Sequence, residues 1–320
     1  MPVVGFVDSN GEHFTFDEIR QGLGTFLTRR GADAPRAMLR ALANGFRAGD
    51  HYGDPNVISV TTLISPIQKV RLEQRHDLYV EWDANIWATY GTVAHGFFED
   101  GAAEGDIVEH KLVIERQGVK IGGTFDLLEM MPELVRVTGV DPLVVKKQYQ
   151  GRDYKVTSAY GVKGMVQAAA ADPLMGVYRE KPDYFWQGNL YNAMTQDPDV
   201  HWVVELKDKD GNVLDRVLEP WPYAGKVHID NWALVAVCRD WSEPKHGKVI
   251  GPVEVVTVPL LPLERVENYL AQRVELYSSC EDWADDKLPE CSPVETWTGK
   301  RCAKYCAAAP VCHQIGNGRV

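Results

Sequence analysis

Apolar residues recur every three to four positions across residues 17–30 and 35–46, the spacing of helices with one buried face, and Gly31 and Gly45 stand as stops. Residues 56–77 begin with strand-like character and become helical, with a turn at Pro66. From 83 to 99 the pattern predicts another helix, with Trp87, Tyr90, Ala94 and Phe98 on its buried side. The period then falls to two. Residues 108–116, a turn at Gln117 and Gly118, and residues 119–129 predict an antiparallel hairpin, and 152–158 a further strand. Residues 130–150 read as an elaborated loop or extra hairpin. A helix at 184–194, strands at 201–206 and 213–218 around a turn at 209–212, a strand at 253–260 and a helix at 263–277 follow.

This order predicts one α/β domain: a central mixed β-sheet flanked by helices, with a helical N-terminal segment. The expected divisions are a helical segment at 1–82, a core at 83–262, and a C-terminal helix with a cysteine-rich tail at 263–320 packed on the core.

Composition narrows the function. Of 320 residues, 45% are hydrophobic and 25% charged, which excludes disorder and collagen-like structure. With 34 Lys+Arg against 45 Asp+Glu the formal charge is -11, so bulk positive charge cannot grip nucleic acid and any anionic partner must be met locally. No run approaches the roughly 18 to 20 apolar residues of a membrane span, and the start lacks a basic region followed by an apolar one. The expectation is a cytoplasmic, non-secreted protein with no membrane partner. No Gly-x4-Gly-Lys-Ser/Thr loop is present, which argues against an ATP-driven motor.

Four local features gain meaning together. His95 and Glu99 are four apart on a predicted helix and share a face. Asp126 falls within the second hairpin strand, and Asp153 and Lys155 are two apart on the next strand, on the same side. Gln187 and Tyr191 are four apart on a later helix. A phosphodiester repels an attacking hydroxide, and neutral water is a weak nucleophile; a divalent cation addresses both. Mg²⁺ takes hard oxygen ligands, often one or two carboxylates plus the phosphate, a task that suits Asp126 and Asp153. Lys155 has the spacing to orient water and neutralise transition-state charge.

In order, G-x3-H-x3-E from Gly91 to Glu99, G-x2-D from Gly123 to Asp126, D-x-K from Asp153 to Lys155 and Q-x3-Y from Gln187 to Tyr191 resemble the motif series of RecB-like nucleases of the PD-(D/E)XK superfamily, phage-type members especially. The resemblance implies a restriction-endonuclease-like core and a Mg²⁺- or Mn²⁺-dependent DNA nuclease of exonuclease type, acting on single- or double-stranded DNA with a recombination or repair protein as a further partner. It implies that His95, Glu99, Asp126, Asp153 and the backbone carbonyl of Tyr154 hold metal. Asp126, Asp153 and Lys155 would be catalytic, and Gln187 and Tyr191 would position the substrate or brace the site. The third-motif acid is Asp153 where many such proteins carry Glu. A DNA-binding or assembly protein on the same fold is the alternative reading.

The six cysteines sit late in the chain. Cys238 lies in an apolar run and reads as a core thiol. Cys291, Cys302, Cys306 and Cys312 supply four thiolates, the complement of an iron-sulfur cluster or a structural zinc, with Cys280 a substitute for one of them. Disulfides would suit a short secreted chain better. Several RecB-like nucleases are similar in having C-terminal cysteines around a 4Fe-4S cluster, which favours iron-sulfur here; Zn²⁺ remains the alternative. Lys300, Arg301 and Lys304 read as a solvated basic face.

Overall fold

The structure, a computed structural model, describes residues 3–28, 30–45, 54–83, 86–131, 147–210 and 212–318. The chain opens with strands β1 (Val3–Val7) and β2 (His13–Thr15) and helices α1 (Phe16–Arg20) and α2 (Arg36–Gly45). Next come β3 (Ile58–Ser59), α3 (Val60–Ile64), α4 (Ile67–Arg75), β4 (Leu78–Glu81) and α5 (Ile86–Glu99). The strands β5 (Ile107–Val108), β6 (Lys111–Arg116), β7 (Val119–Thr124), β8 (Leu127–Met130) and β9 (Lys147–Thr157) follow in succession. They lead to α6 (Ala159–Ala171), α7 (Gly176–Glu180), α8 (Pro182–Gln196), β10 (His201–Lys207), β11 (Val213–Pro220) and β12 (Val227–Cys238). The chain continues through α9 (Glu243–His246), β13 (Val253–Val258), α10 (Leu263–Ser279), α11 (Lys300–Lys304) and α12 (His313–Gly316). Among the described residues the protein is a mixed α/β structure with three sheets, each combining parallel and antiparallel pairs. No described helix is long and apolar enough to cross a membrane.

The chain divides into two compact units. One draws on residues 1–49, 65–93 and 276–320, the other on 50–64 and 94–275. In the first unit the sheet order is β2-β1-β4, so the expected helical N-terminal segment opens on strands instead. Thr15 and Glu18 form a reciprocal capping box that starts α1. The helix expected at 17–30 stops at Arg20 because Gly22 and Gly24 follow at φ 91° and 84°, the left-handed region that a helix cannot continue through. Phe6, Phe16, Ile19, Phe26, Leu39 and Leu42 make one core of this unit; Ile67, Leu72 and Leu78 with Cys280, Leu288 and Ala308 make another.

The second unit holds two five-stranded sheets, β11-β10-β6-β7-β3 and β13-β12-β9-β8-β5, in place of one central sheet. The hairpin predicted over 108–129 is present as β6 and β7, but its second strand does not run on to 129. It breaks at Phe125 and Asp126: β7 pairs with β6 in one sheet, while β8 pairs with β9 in the other. Asp126 thus lies at a strand break and not within a strand. Residues 132–146, the heart of the expected insertion, lie outside the described residues; Lys147 to Gln150 already belong to β9. On α5, Ala94 and Phe98 are half-buried, whereas Tyr90, expected on the buried side, is 54% exposed. The Trp87 side chain lies outside the described ones.

The second sheet is centred on β12, which pairs in parallel with β9 over its whole length and antiparallel with β13. The indole of Trp232 on β12 is fully buried against two glycines, Gly151 on β9 and Gly188 on α8. A methyl group at 151 would overlap the indole ring, and one at 188 would lie 2.7 Å from its Cδ1. These two absent side chains let α8 settle onto the sheet. Overpacking so close a contact costs about 1–3 kcal/mol. Gly151→Ala should therefore lower the unfolding free energy by that amount, read as a lower denaturant midpoint at unchanged m-value, and Gly316→Ala, in open space, should not reproduce the loss.

Candidate metal centre

Where β7 ends and β8 begins, the chain crosses between two sheets, and Asp126 is the residue at the crossing. Its Oδ2 accepts a hydrogen bond of 2.6 Å from the backbone N–H of Tyr154 on β9. The carbonyl of the same Tyr154 accepts from His95 Nε2 at 2.9 Å. The Tyr154 ring stacks on Phe98 from α5, centroids 4.2 Å apart and planes within 10°. One residue of β9 is therefore held by the strand break on one side and by α5 on the other.

His95, expected as a ligand, does lie against Asp126: its Nδ1 is 3.6 Å from Asp126 Oδ1 and 3.6 Å from Glu109 Oε1. His95, Glu109 and Asp126 bring one donor atom each to within 4.8 Å of one another, which makes them a candidate metal triad. Glu109 is the member that the sequence pattern does not reveal. It sits between β5 and β6 with φ 51°, outside the alternation of either strand, and its N–H donates to the Asp126 carbonyl at 3.1 Å. Like Asp126 it lies where the chain changes sheets, since β5 pairs with β8 and β6 with β7. Glu99 is exposed and lines the same cavity as His95, Glu109 and Asp126 without joining the triad. The Tyr154 carbonyl, expected as a ligand, accepts the hydrogen bond from His95.

Asp153 and Lys155 project from the same face of β9, and Lys155 Nζ donates to Asp153 Oδ1 at 2.8 Å. Asp153 is 2% exposed, and its other oxygen, Oδ2, is buried without a hydrogen-bond partner. Burial, then repulsion from Asp153, push the Asp126 carboxyl up to about 7, although Lys155, His95 and the Tyr154 N–H work the other way. Burial would lower the Lys155 ammonium, but the charges of Asp153 and Asp126 outweigh it and hold it above its ordinary value. The hydrogen bond to Glu109 raises His95 against the effect of burial, with help from Asp126. Glu99 is raised by burial and by the nearby charge of Glu109. The centre is thus acid-rich, and the neighbouring carboxylates favour the charged form of Lys155.

Gln187 Nε2 donates to the Tyr191 hydroxyl at 2.9 Å, so the two residues are joined to each other on α8. Tyr191 is buried and lies over Gly123, where a Cβ would come 2.8 Å from its ring. Two turns before Tyr191, the ring of Tyr184 lies 5.9 Å from Lys155 Nζ.

The cysteines belong to the first unit, apart from Cys238, which is buried at the end of β12. Cys280 is fully buried in an apolar cluster against which Cys306 and Cys312 pack. Cys291 and Cys312 both direct Sγ toward Gln68 Oε1, at 3.5 and 3.6 Å. Burial first, then the charges of Glu295 and of Cys312, Cys306 and Cys302, push the Cys291 thiol up to about 12. Among the described residues no three cysteine sulfurs lie within 4.8 Å of one another. Tetrahedral zinc at about 2.3 Å per bond needs sulfurs about 3.8 Å apart, so the tail as it stands is wider than a zinc tetrahedron.

No protein-family model matches the chain, and no curated protein does. Among solved structures the chain is similar to SSO0001, at 16% identity and a TM-score of 0.41 over 86% of this chain and 94% of that one.

Proposed function

We propose that this chain is a Mg²⁺- or Mn²⁺-dependent deoxyribonuclease of exonuclease type that hydrolyses phosphodiester bonds without a covalent intermediate. The observation that carries this reading is the joining, at one strand break, of Asp126, the buried Asp153 with an unpartnered oxygen, and the charged Lys155. Donors of this chemistry suit a hard divalent ion, which when bound would neutralise a phosphate and acidify water. The residues supply the remainder. Asp153 holds Lys155 by a 2.8 Å hydrogen bond, and Lys155 stays protonated at neutral pH, so it donates to water or a phosphate oxygen and does not act as a base. Gln187 and Tyr191 act through the fold, fixing α8 against β7 behind the lysine. For the tail we propose that Cys291, Cys302, Cys306 and Cys312 hold a 4Fe-4S cluster, a group larger than a zinc tetrahedron. About four iron atoms per chain and negligible zinc in anaerobically purified protein are expected; stoichiometric zinc would overturn the assignment.

Linear and circular, single- and double-stranded DNA incubated with the protein should be degraded from ends in Mg²⁺ or Mn²⁺ and left intact with chelator. Asp126→Ala, Asp153→Ala and Lys155→Ala should each reduce the rate on the order of a hundredfold or more. Wild-type rates in Asp126→Ala or Lys155→Ala would refute the reading.

Metal-free protein should also show a pH signature. Asp126 rises from 3.8 to about 7 on folding, and His95 rises from 6.5. Both groups bind protons more tightly in the folded state, so their contribution is full at low pH and is lost as pH rises through their folded values. In chelator, the site's contribution to Tm should fall between pH 5.5 and 8, and Asp126→Asn should flatten that dependence. The gain in Tm on adding Mn²⁺ should be larger at pH 8 than at pH 5.5, measured by differential scanning calorimetry.

A further inference from the structure

Two buried glutamines of the first unit stand beside the tail cysteines, and they are bonded in different ways. Gln314, on α12, holds backbone: its Oε1 accepts from the N–H of Cys291 and its Nε2 donates to the Cys291 carbonyl, both at 2.9 Å. The amide of Gln68, on α4 and 1% exposed, meets side chains instead. Its Oε1 lies 3.5 Å from Cys291 Sγ and 3.6 Å from Cys312 Sγ, and its Nε2 lies 3.2 and 3.3 Å from the two ring nitrogens of His313. A thiol is a weak hydrogen-bond donor, so two S–H groups are poor compensation for an amide taken out of water. Sulfur bonded to a metal behaves in the opposite way. It is negative, has no proton to give and accepts hydrogen bonds strongly. Half a turn about the last side-chain bond of Gln68 exchanges its oxygen and nitrogen. The two N–H groups then serve the two sulfurs, one each, and the oxygen meets His313, whose ring N–H can donate to it.

We propose that Gln68 is the outer hydrogen-bond donor of the tail's cluster: its amide N–H groups are given to the sulfurs of Cys291 and Cys312 when these bind iron, and they raise the cluster's reduction potential. Hydrogen bonds donated to cluster sulfurs favour the electron-richer, reduced form. Gln68 is thus a positioning residue and not a ligand, and His313 holds its amide in place. Gln314 does the separate work of fixing the backbone of Cys291. The assignment rests on the reading that the tail holds a 4Fe-4S cluster, and it does not depend on DNA cleavage.

The test is a redox titration of the anaerobically purified full chain, followed by visible absorption and by electron paramagnetic resonance of the reduced cluster, with iron and zinc analysis of every sample. Gln68→Met, which keeps the length and removes the donor, should hold as much iron as wild type. At the wild-type midpoint its ratio of reduced to oxidised cluster should fall about tenfold, a shift of about 59 mV for a one-electron couple. Gln68→Glu, which offers the sulfurs only oxygens, should lower the ratio at least as far. Gln314→Met, which cuts the bonds to the Cys291 backbone, should lower Tm and change the ratio less than threefold. One readout needs no variant: with ¹⁵N at the glutamine side-chain amides, the reduced wild-type cluster should show a weak ¹⁵N coupling in pulsed spectra. That coupling should survive Gln314→Met and vanish in Gln68→Met. An unchanged midpoint in Gln68→Met with iron retained, an equal shift in Gln314→Met, or no ¹⁵N coupling in the iron-loaded wild type would overturn the role of Gln68 and leave the cluster standing. Zinc in place of iron in the wild type would refute the cluster reading and this role together.

Discussion

The peptide unit of Tyr154 is the point on which the candidate centre depends. Strand β8 starts at Leu127, opposite Arg152, so its ladder does not reach Tyr154. The N–H and C=O of Tyr154 on that edge of β9 would otherwise be left without partners, and a buried backbone group without one costs about 1–3 kcal/mol. Asp126 accepts the N–H and His95 donates to the C=O, so two side chains take the place of the missing strand. Residues suited to metal chemistry are thereby written into the sheet's own hydrogen bonding. Replacing either one disturbs the backbone of β9, and with it the residues on either side of Tyr154, which are Asp153 and Lys155.

Much of the second unit was legible from the chain. The hairpin turn at Gln117 and Gly118, the strand carrying Asp153 and Lys155, and helix α8 each follow from local periodicity and turn chemistry, and the structure has them. What periodicity could not reveal was the break at Phe125 and Asp126. Residues 119–129 keep an even alternation across it, while the change of partner strand is decided by tertiary pairing. Strand β12 was missed for a related reason. Its second half is a run of apolar residues that could be a buried helix or a buried strand, and its parallel partner lies some 80 residues earlier, beyond the reach of any hairpin signal. The helix expected through residue 30 failed on backbone grounds, because two glycines adopt conformations that local hydrophobic spacing does not register.

The candidate site shows the same division. His95, Asp126, Asp153 and Lys155 were found because their residue types and order are informative, and His95 lies against Asp126 while Asp153 holds Lys155. Glu109 was invisible because it sits where the chain changes sheets between β5 and β6, with a left-handed backbone that detaches it from any period. Glu99 was visible for the opposite reason: helical spacing put it on the face of His95, but the helix carries it to the rim, with its carboxylate exposed. The cysteine tail was legible as a set of thiols and not as an arrangement, since Gln68, from a distant part of the sequence, is the side chain toward which Cys291 and Cys312 turn.

Gly123 and Tyr191 belong to motifs nearly seventy residues apart, yet in the folded chain they are two halves of one joint. The glycine has no side chain so that the tyrosine ring can lie flush against β7, and the ring in turn sets how closely α8 approaches the strand. Neither half has a reason to exist without the other. Anyone transplanting this centre into another scaffold, or repairing a damaged copy of it, would have to move the glycine and the tyrosine as a pair. The carboxylates and the lysine alone would arrive with no hinge plate behind them.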